Sequence, residues 1–351
     1  MSLGFGIVGL GLIADFHARA IQAMEGATLV ACCSRNREKA DRFGEKLGCR
    51  GYEAIEAFLD DPDLEVVSIC TPSGYHLEPS LAAAKAGKHL VVEKPLEISL
   101  ERCDNIIEAC EKAGVTLAGV FPSRFHEVSK IIKEALDKGR FGRLVLGDAT
   151  CKWFRSQQYY DEGGWKGTWR LDGGGALMNQ SIHAIDLLQW FMGTVECVQA
   201  FTGTLGHERI EVEDNAVATL RFANGALGVI EGSTAIYPGF KKRIDICGSA
   251  GSAVMEEESL TIWSFVEESA EDQEIRRRFS VSTETEGGAA DPAAIGFHGH
   301  QKQFEDLVAA IESGRKPLVD GLEARKAVEI ILAIYQSARI EKPVSLPVYE
   351  K

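Results

Sequence analysis

The chain has 351 residues, 45% of them hydrophobic and 26% charged, enough for two globular domains with sizeable cores. A net charge of −14 argues against nucleic acid as a partner, and no apolar run reaches the roughly 18 residues that span a bilayer. The nine cysteines include no CxxC pair; they fit reduced core thiols in the cytoplasm rather than a metal site, and the first residues read as a strand, not a secretion signal.

Residues 4 to 120 alternate short apolar runs with helical periodicity. Strands are expected at 5–9, 28–33, 64–70, 89–93 and 115–120, with helices at 12–24, 37–47, 74–86 and 99–112. Asn36, Ser73 and Ser99 are the expected helix N-caps. Such alternation implies a parallel sheet covered on both faces.

The first turn reads Gly9-Leu10-Gly11-Leu12-Ile13-Ala14, between a strand and a helix. Gly9 permits the tight turn, Gly11 lets a pyrophosphate approach the backbone, and Ala14 allows close helix packing, as a dinucleotide fingerprint requires. The second strand ends in Cys33-Ser34-Arg35-Asn36-Arg37, without the acid that binds a ribose 2′-hydroxyl. Ser34 and Arg35 therefore favour NADP(H), with NAD(H) possible through other contacts. The fourth strand ends in Val92-Glu93-Lys94-Pro95, at the carboxyl end of the sheet where ligands gather.

Beyond residue 140 the apolar pattern turns to period two, with Asn224-Gly225 as a hairpin turn between 217–222 and 226–231. Residues 173–190 open with three glycines and continue as an apolar helix bearing Asn179, His183 and Asp186 on one stripe. A narrow polar seam on such a helix either lines a pocket or satisfies a core network. Residues 266–296 read as a hairpin and a loop, and His298-Gly299-His300 as the start of the next helix.

The fingerprint at 9–14, the E-K-P at 93–95 and the G-G-G…H-x-x-D at 173–186 resemble the glucose–fructose oxidoreductase / inositol dehydrogenase family, known as Gfo/Idh/MocA. The runs at 70–96 and from His298 onward resemble it too, so the likeness covers essentially the whole chain. It implies an α/β protein: a Rossmann NAD(P)-binding domain over 1–121, and over 122–351 a substrate-binding and oligomerisation domain with a large, mostly antiparallel open sheet. The implied activity is an NAD(P)-dependent dehydrogenase moving a hydride between nicotinamide and a secondary hydroxyl of a sugar, polyol or nucleotide-sugar, in a homodimer or homotetramer.

By the same resemblance Lys94 and His183 are catalytic, with Asn179 beside them. The implied cofactor contacts are Gly9, Gly11, Leu12, Ile13, Ser34, Arg35, Thr71, Pro72, His76, Glu93, Lys94 and Arg124. Trp165, Lys166 and Arg170 join Lys94, Asn179 and His183 as implied substrate contacts, and no metal is expected. Two positions depart from the family pattern: Asn179 stands where many members have Asp, and Pro122 where many have Gln. The M-N-Q-x-I-H form resembles the branch that oxidises C3 of nucleotide-linked sugars such as UDP-sugar acids. Other readings are a non-catalytic NAD(P)-binding sensor or co-repressor, an NAD-dependent glycosidase type, and a carbonyl reductase. A sensor has no need of both Lys94 and His183.

Overall fold

The computed structural model describes residues 2–162, 164–280 and 296–348. Contacts divide the chain into two compact units, 1–122 with 296–328 and 123–295 with 329–351. The simple boundary after 121 is thus modified at one place. Residues 296–328 return to the first unit, because Phe304 and Leu307 of the helix His298–Ser313 join Phe5, Ile7, Ala18 and Ile21 in its core.

Six strands form the first sheet: β1 (Leu3–Val8), β2 (Ala27–Cys33), β3 (Arg50–Tyr52), β4 (Val66–Ile69), β5 (His89–Val92) and β6 (Leu117–Gly119). All pair in parallel, in the order β3-β2-β1-β4-β5-β6. That order, reversing direction at β1 and β4, is the doubly wound arrangement of dinucleotide-binding domains. Near-continuous burial of β1, β4 and β6 explains why they read as unbroken apolar runs.

The expected helices are present, Arg37–Leu47 at its expected bounds and Leu12–Gln22, Leu77–Lys85 and Leu100–Ala113 with shifted ends. Asn36 and Ser99 cap as predicted, accepting the backbone N–H of Lys39 and Arg102. Ser73 does not. It opens one turn of 3₁₀ helix, Ser73–Tyr75, and the α-helix begins only after His76. The three-residue β3 and the short helix Ile55–Leu59 carry too few residues to show a period, and sequence patterning misses both.

The second unit holds an eight-stranded sheet: β7 (Leu144–Lys152), β8 (Val195–Gly203), β9 (Asn215–Phe222), β10 (Leu227–Ser233), β11 (Arg243–Gly248), β12 (Gly251–Glu256), β13 (Ser259–Phe265) and β14 (Val344–Ser345). The order is β13-β12-β11-β7-β10-β9-β8-β14, antiparallel throughout except for β7 with β10. Gly225, with φ +87°, makes the predicted hairpin turn. One face is covered by the segment 176–192, where Gly147 and Gly232 leave room for Met192 and Leu177. The other carries two exposed cross-strand pairs, Phe201 opposite Val217 and Leu227 opposite Leu146. The hairpin expected within 266–296 is replaced at its start by a helix, Ala270–Phe279, whose capping box joins Ser269 and Asp272. The remainder of that prediction, at 281–295, lies outside the described residues.

Candidate active site

In the first unit, Gly9 has φ +89°, and a Cβ there would meet the Thr71 nitrogen at 2.7 Å and the Cys70 carbonyl at 2.8 Å. No other residue fits that approach. Gly11 is the N-cap of the helix Leu12–Gln22, and a Cβ on it would meet nothing within 4 Å. Leu12 beside it is exposed and Ile13 half-buried, while Ala14 is fully buried against the sheet. An open helix N-terminus behind a glycine turn fits a dinucleotide pyrophosphate.

Around this turn, Thr71 Oγ1 donates to the Tyr75 carbonyl at 2.9 Å, closing the loop that holds Pro72. His76 is buried, its ring nitrogens 2.9 Å from the carbonyl oxygens of Pro95 and Thr71. It ties the loop after β4 to the loop after β5, which is a scaffold task rather than a ligand contact. At the end of β2, Ser34 Oγ accepts the Asn36 N–H, and the exposed Arg35 lies 5.8 Å from the centre of the Tyr75 ring.

Lys94 is half-buried at the end of β5. Glu93, expected to face the cofactor, turns inward instead. Its Oε1 accepts from His17 Nε2 at 2.8 Å and its Oε2 from the Lys94 N–H at 2.9 Å.

In the second unit, the stretch after the glycines does not start as an α-helix. Ala176–Ser181 is π-helical and Ile182–Met192 is α-helical. The glycines are there for close approach. A Cβ on Gly175 would meet the Glu213 carbonyl at 1.9 Å, and one on Gly174 the Tyr335 hydroxyl at 2.1 Å. Glu213 then caps the segment, with Oε2 accepting the Gly175 N–H at 3.0 Å and Oε1 accepting the Leu177 N–H at 2.8 Å and the Tyr335 hydroxyl at 2.9 Å. Burial outweighs these donors and raises the Glu213 pKa to about 7.

From 172 through 189 only Asn179 and His183 are partly exposed; every other residue is buried. Asp186, expected on the same seam, is fully buried and paired with Arg124, whose Nε and Nη2 donate to it at 2.8 and 2.6 Å. The guanidinium also lies 5.2 Å from the Trp190 ring centre. Arg124 therefore anchors the helix, a different task from the cofactor contact expected of it.

Asn179 Nδ2 donates to Asp172 Oδ1 at 2.6 Å, and Asp172 Oδ2 accepts the Gly167 N–H at 2.8 Å. Fully buried Asp172 thus joins the loop carrying Trp165, Lys166 and Arg170 to the helix. Trp165 and Lys166 are half-buried and Arg170 is exposed. Lys166 Nζ sits 3.6 Å from the Tyr159 ring centre, and burial lowers its pKa. Gln180 links Asn179 to buried Arg155, accepting from its Nη2 at 2.8 Å and donating to Asn179 Oδ1 at 3.1 Å.

Sequence reasoning passed over His17, Asp172, Glu213 and Tyr335. Asp172 lies two residues past Arg170, but its partner at 179 is recognisable only once the glycine turn is folded. Glu213 and Tyr335 are distant in sequence from the helix they hold and carry no local signal.

A doubly wound sheet with an open glycine turn, joined in one chain to a sheet-backed helix presenting Asn179 and His183, defines a two-unit nicotinamide-dependent oxidoreductase. Residues 3–121 match the family model described as the oxidoreductase family with NAD-binding Rossmann fold, and residues 130–254 match the GFO/IDH/MocA C-terminal domain. The chain belongs to the Gfo/Idh/MocA family of NAD-binding oxidoreductases. It is 28% identical to the myo-inositol 2-dehydrogenase of Thermotoga maritima over 351 aligned positions, covering 97% of this chain and 98% of that one. The WlbA dehydrogenase of Bordetella pertussis, solved with NADH and UDP-GlcNAcA, superposes with a TM-score of 0.88 at 32% identity, covering 99% of this chain and all of that one. A levoglucosan dehydrogenase solved with NADH and levoglucosan gives a TM-score of 0.85 at 25% identity over 99% of this chain and all of that one. Among the described residues, no helix is long and apolar enough to cross a membrane.

Proposed function

We propose that the protein is a dehydrogenase that oxidises a secondary hydroxyl of a sugar-type substrate, a nucleotide-linked sugar acid being the favoured class, or runs the reverse reduction. The observation that carries this reading is the selective opening of the 172–189 stretch at Asn179 and His183 alone. A packing helix has no reason to open only at an amide and an imidazole.

A dinucleotide held by its pyrophosphate at the glycine turn would supply nicotinamide as the hydride acceptor or donor. The imidazole of His183, a group that can both take and return a proton, suits transfer of the hydroxyl proton. Lys94 binds the reacting oxygen and stabilises its developing negative charge. Asn179, fixed by Asp172, orients the substrate hydroxyl without taking a proton. Trp165, Lys166 and Arg170 contact the sugar, with the ammonium of Lys166 available to an acidic substituent.

Ser34 and Arg35, without an acid at the end of β2, support a preference for NADP(H) over NAD(H). The two exposed apolar pairs on the open face, Phe201 with Val217 and Leu227 with Leu146, support a homodimer or homotetramer assembled through the sheet. Nine free thiols support a reducing, cytoplasmic setting.

The test is nicotinamide reduction by purified protein, with NADP and NAD assayed separately against free sugars, inositols and UDP-sugar acids. Turnover with a UDP-sugar acid supports the reading in full, and turnover only with a free sugar or inositol corrects the substrate class. Tight cofactor binding with no turnover across the panel would favour a sensor.

A further inference from the structure

Beneath Lys94 the first unit buries titratable groups that hydride transfer does not call for. Glu93 is 6% exposed, His17 0% and His300 4%. They come from three separate elements: the end of β5, the helix Leu12–Gln22 and the helix His298–Ser313. An apolar filling would be the simpler core, since burying an ion pair costs solvation that only good geometry offsets.

Here the geometry is good and it has a direction. His17 Nε2 donates to Glu93 Oε1 at 2.8 Å, while its Nδ1 lies 2.6 Å from Ser68 Oγ and 3.3 Å from Cys70 Sγ. The other carboxylate oxygen accepts the backbone N–H of Lys94. The cationic end of the pair thus points back toward β4 and the anionic end toward Lys94. His300 closes the third side, its Nε2 3.9 Å from Glu93 Oε1 and its ring 5.3 Å from that of His17. Its buried Nδ1 has no hydrogen-bond partner among the described residues.

We propose that Glu93, backed by His17 and His300, is a positioning group for Lys94: it fixes the lysine backbone and holds the side chain in its ammonium form. The proposal rests on the reading of Lys94 as catalytic. Charge balance supports it. Burial alone would raise the Glu93 pKa, yet His17, His300 and Lys94 together bring it down to about 2. Burial opposes charge on His17 as well, but Cys70 and Glu93 outweigh it and raise its pKa to about 10. His300 is kept neutral by burial and by the charge on His17, with its pKa lowered to about 4. The groups facing Glu93 among the described residues are these two histidines and Lys94, with Ser68 and Cys70 behind His17.

The test measures acetylation of Lys94 by acetic anhydride against pH, read by peptide mass spectrometry, beside the pH profile of turnover. Glu93→Gln removes the anion, so the midpoint of Lys94 reactivity should fall by about one pH unit or more. His17→Gln keeps a donor to Glu93 but removes the cation, so the midpoint should rise. It also serves if Glu93→Gln fails to fold. Opposite shifts with cofactor affinity held within about twofold support the proposal, since a merely structural role would not give them opposite signs. Unchanged midpoints, or shifts in one direction, overturn it. So does a stoichiometric divalent metal in the purified protein that is lost in His300→Ala. If the labelling shifts appear but the turnover profile does not follow, the support is real and the catalytic reading of Lys94 is what fails.

Discussion

Asn179 donates to Asp172 at 2.6 Å, and that bond decides what side chain position 179 tolerates. Asp172 is fully buried, with its second oxygen already committed to the Gly167 N–H. An aspartate at 179 would set two carboxylates against each other.

Asn179→Asp should therefore destabilise the protein by about 1–3 kcal/mol at pH 8, through a lost donor and like-charge repulsion. The new carboxyl would have a raised pKa, so the loss should shrink as pH falls toward 5. Adding Asp172→Asn should recover part of it. Urea unfolding of the three proteins at both pH values measures this; equal stability of Asn179→Asp and the parent at pH 8 would remove the bond from the account.

Glu213 gives a second pH signature. Its folded-state pKa is raised to about 7 from an ordinary 4.5, chiefly by burial, so folding favours the protonated carboxyl. The favourable contribution is full below about 4.5 and is lost as pH rises through 7. Glu213→Gln cannot titrate, and its amide faces the N–H of Gly175 or Leu177 with a donor where an acceptor stood. It should cost about 1–3 kcal/mol at pH 5 and show a flatter stability profile between pH 5 and 8. Thermal melts across that range compare the two slopes, and parallel slopes would contradict the assignment.

The buried Arg124–Asp186 pair should behave as an anchor. Arg124→Met removes the guanidinium from buried Asp186 at a cost of about 3–5 kcal/mol, while Arg124→Met with Asp186→Leu should recover most of the loss. If the single variant instead keeps its stability but loses NADH affinity, Arg124 belongs to the cofactor site after all.

Cofactor choice is a separate prediction. Arg35→Asp should weaken NADPH binding by about tenfold or more and leave NADH nearly unchanged or improved, because only the former carries a 2′-phosphate. Fluorescence titration with each cofactor reads it directly, and equal loss for both would sink the NADP preference.

Much of the first unit could be read from residues alone, because its signals are local. The glycine turn, the buried runs of β1 and β4 and the caps at Asn36 and Ser99 each lie within a few residues of what they specify. The helix bearing His183 was legible as a pattern but not in its detail. A π-helical start and the burial of Asp186 depend on Glu213, Tyr335 and Arg124, all remote in sequence. Glu93 misled for the same reason, since its partners His17 and His300 stand at opposite ends of the chain. Long-range polar pairing leaves no periodicity to find.

The most direct test of the central claim is single-turnover nicotinamide reduction, followed by absorbance after mixing cofactor-loaded protein with the substrate identified by the panel. The parent protein, Lys94→Ala and His183→Ala would be compared at matched cofactor saturation. The account predicts that each variant binds cofactor nearly normally and slows hydride transfer by about 100-fold or more. Hydride transfer at the parental rate in either variant would contradict it.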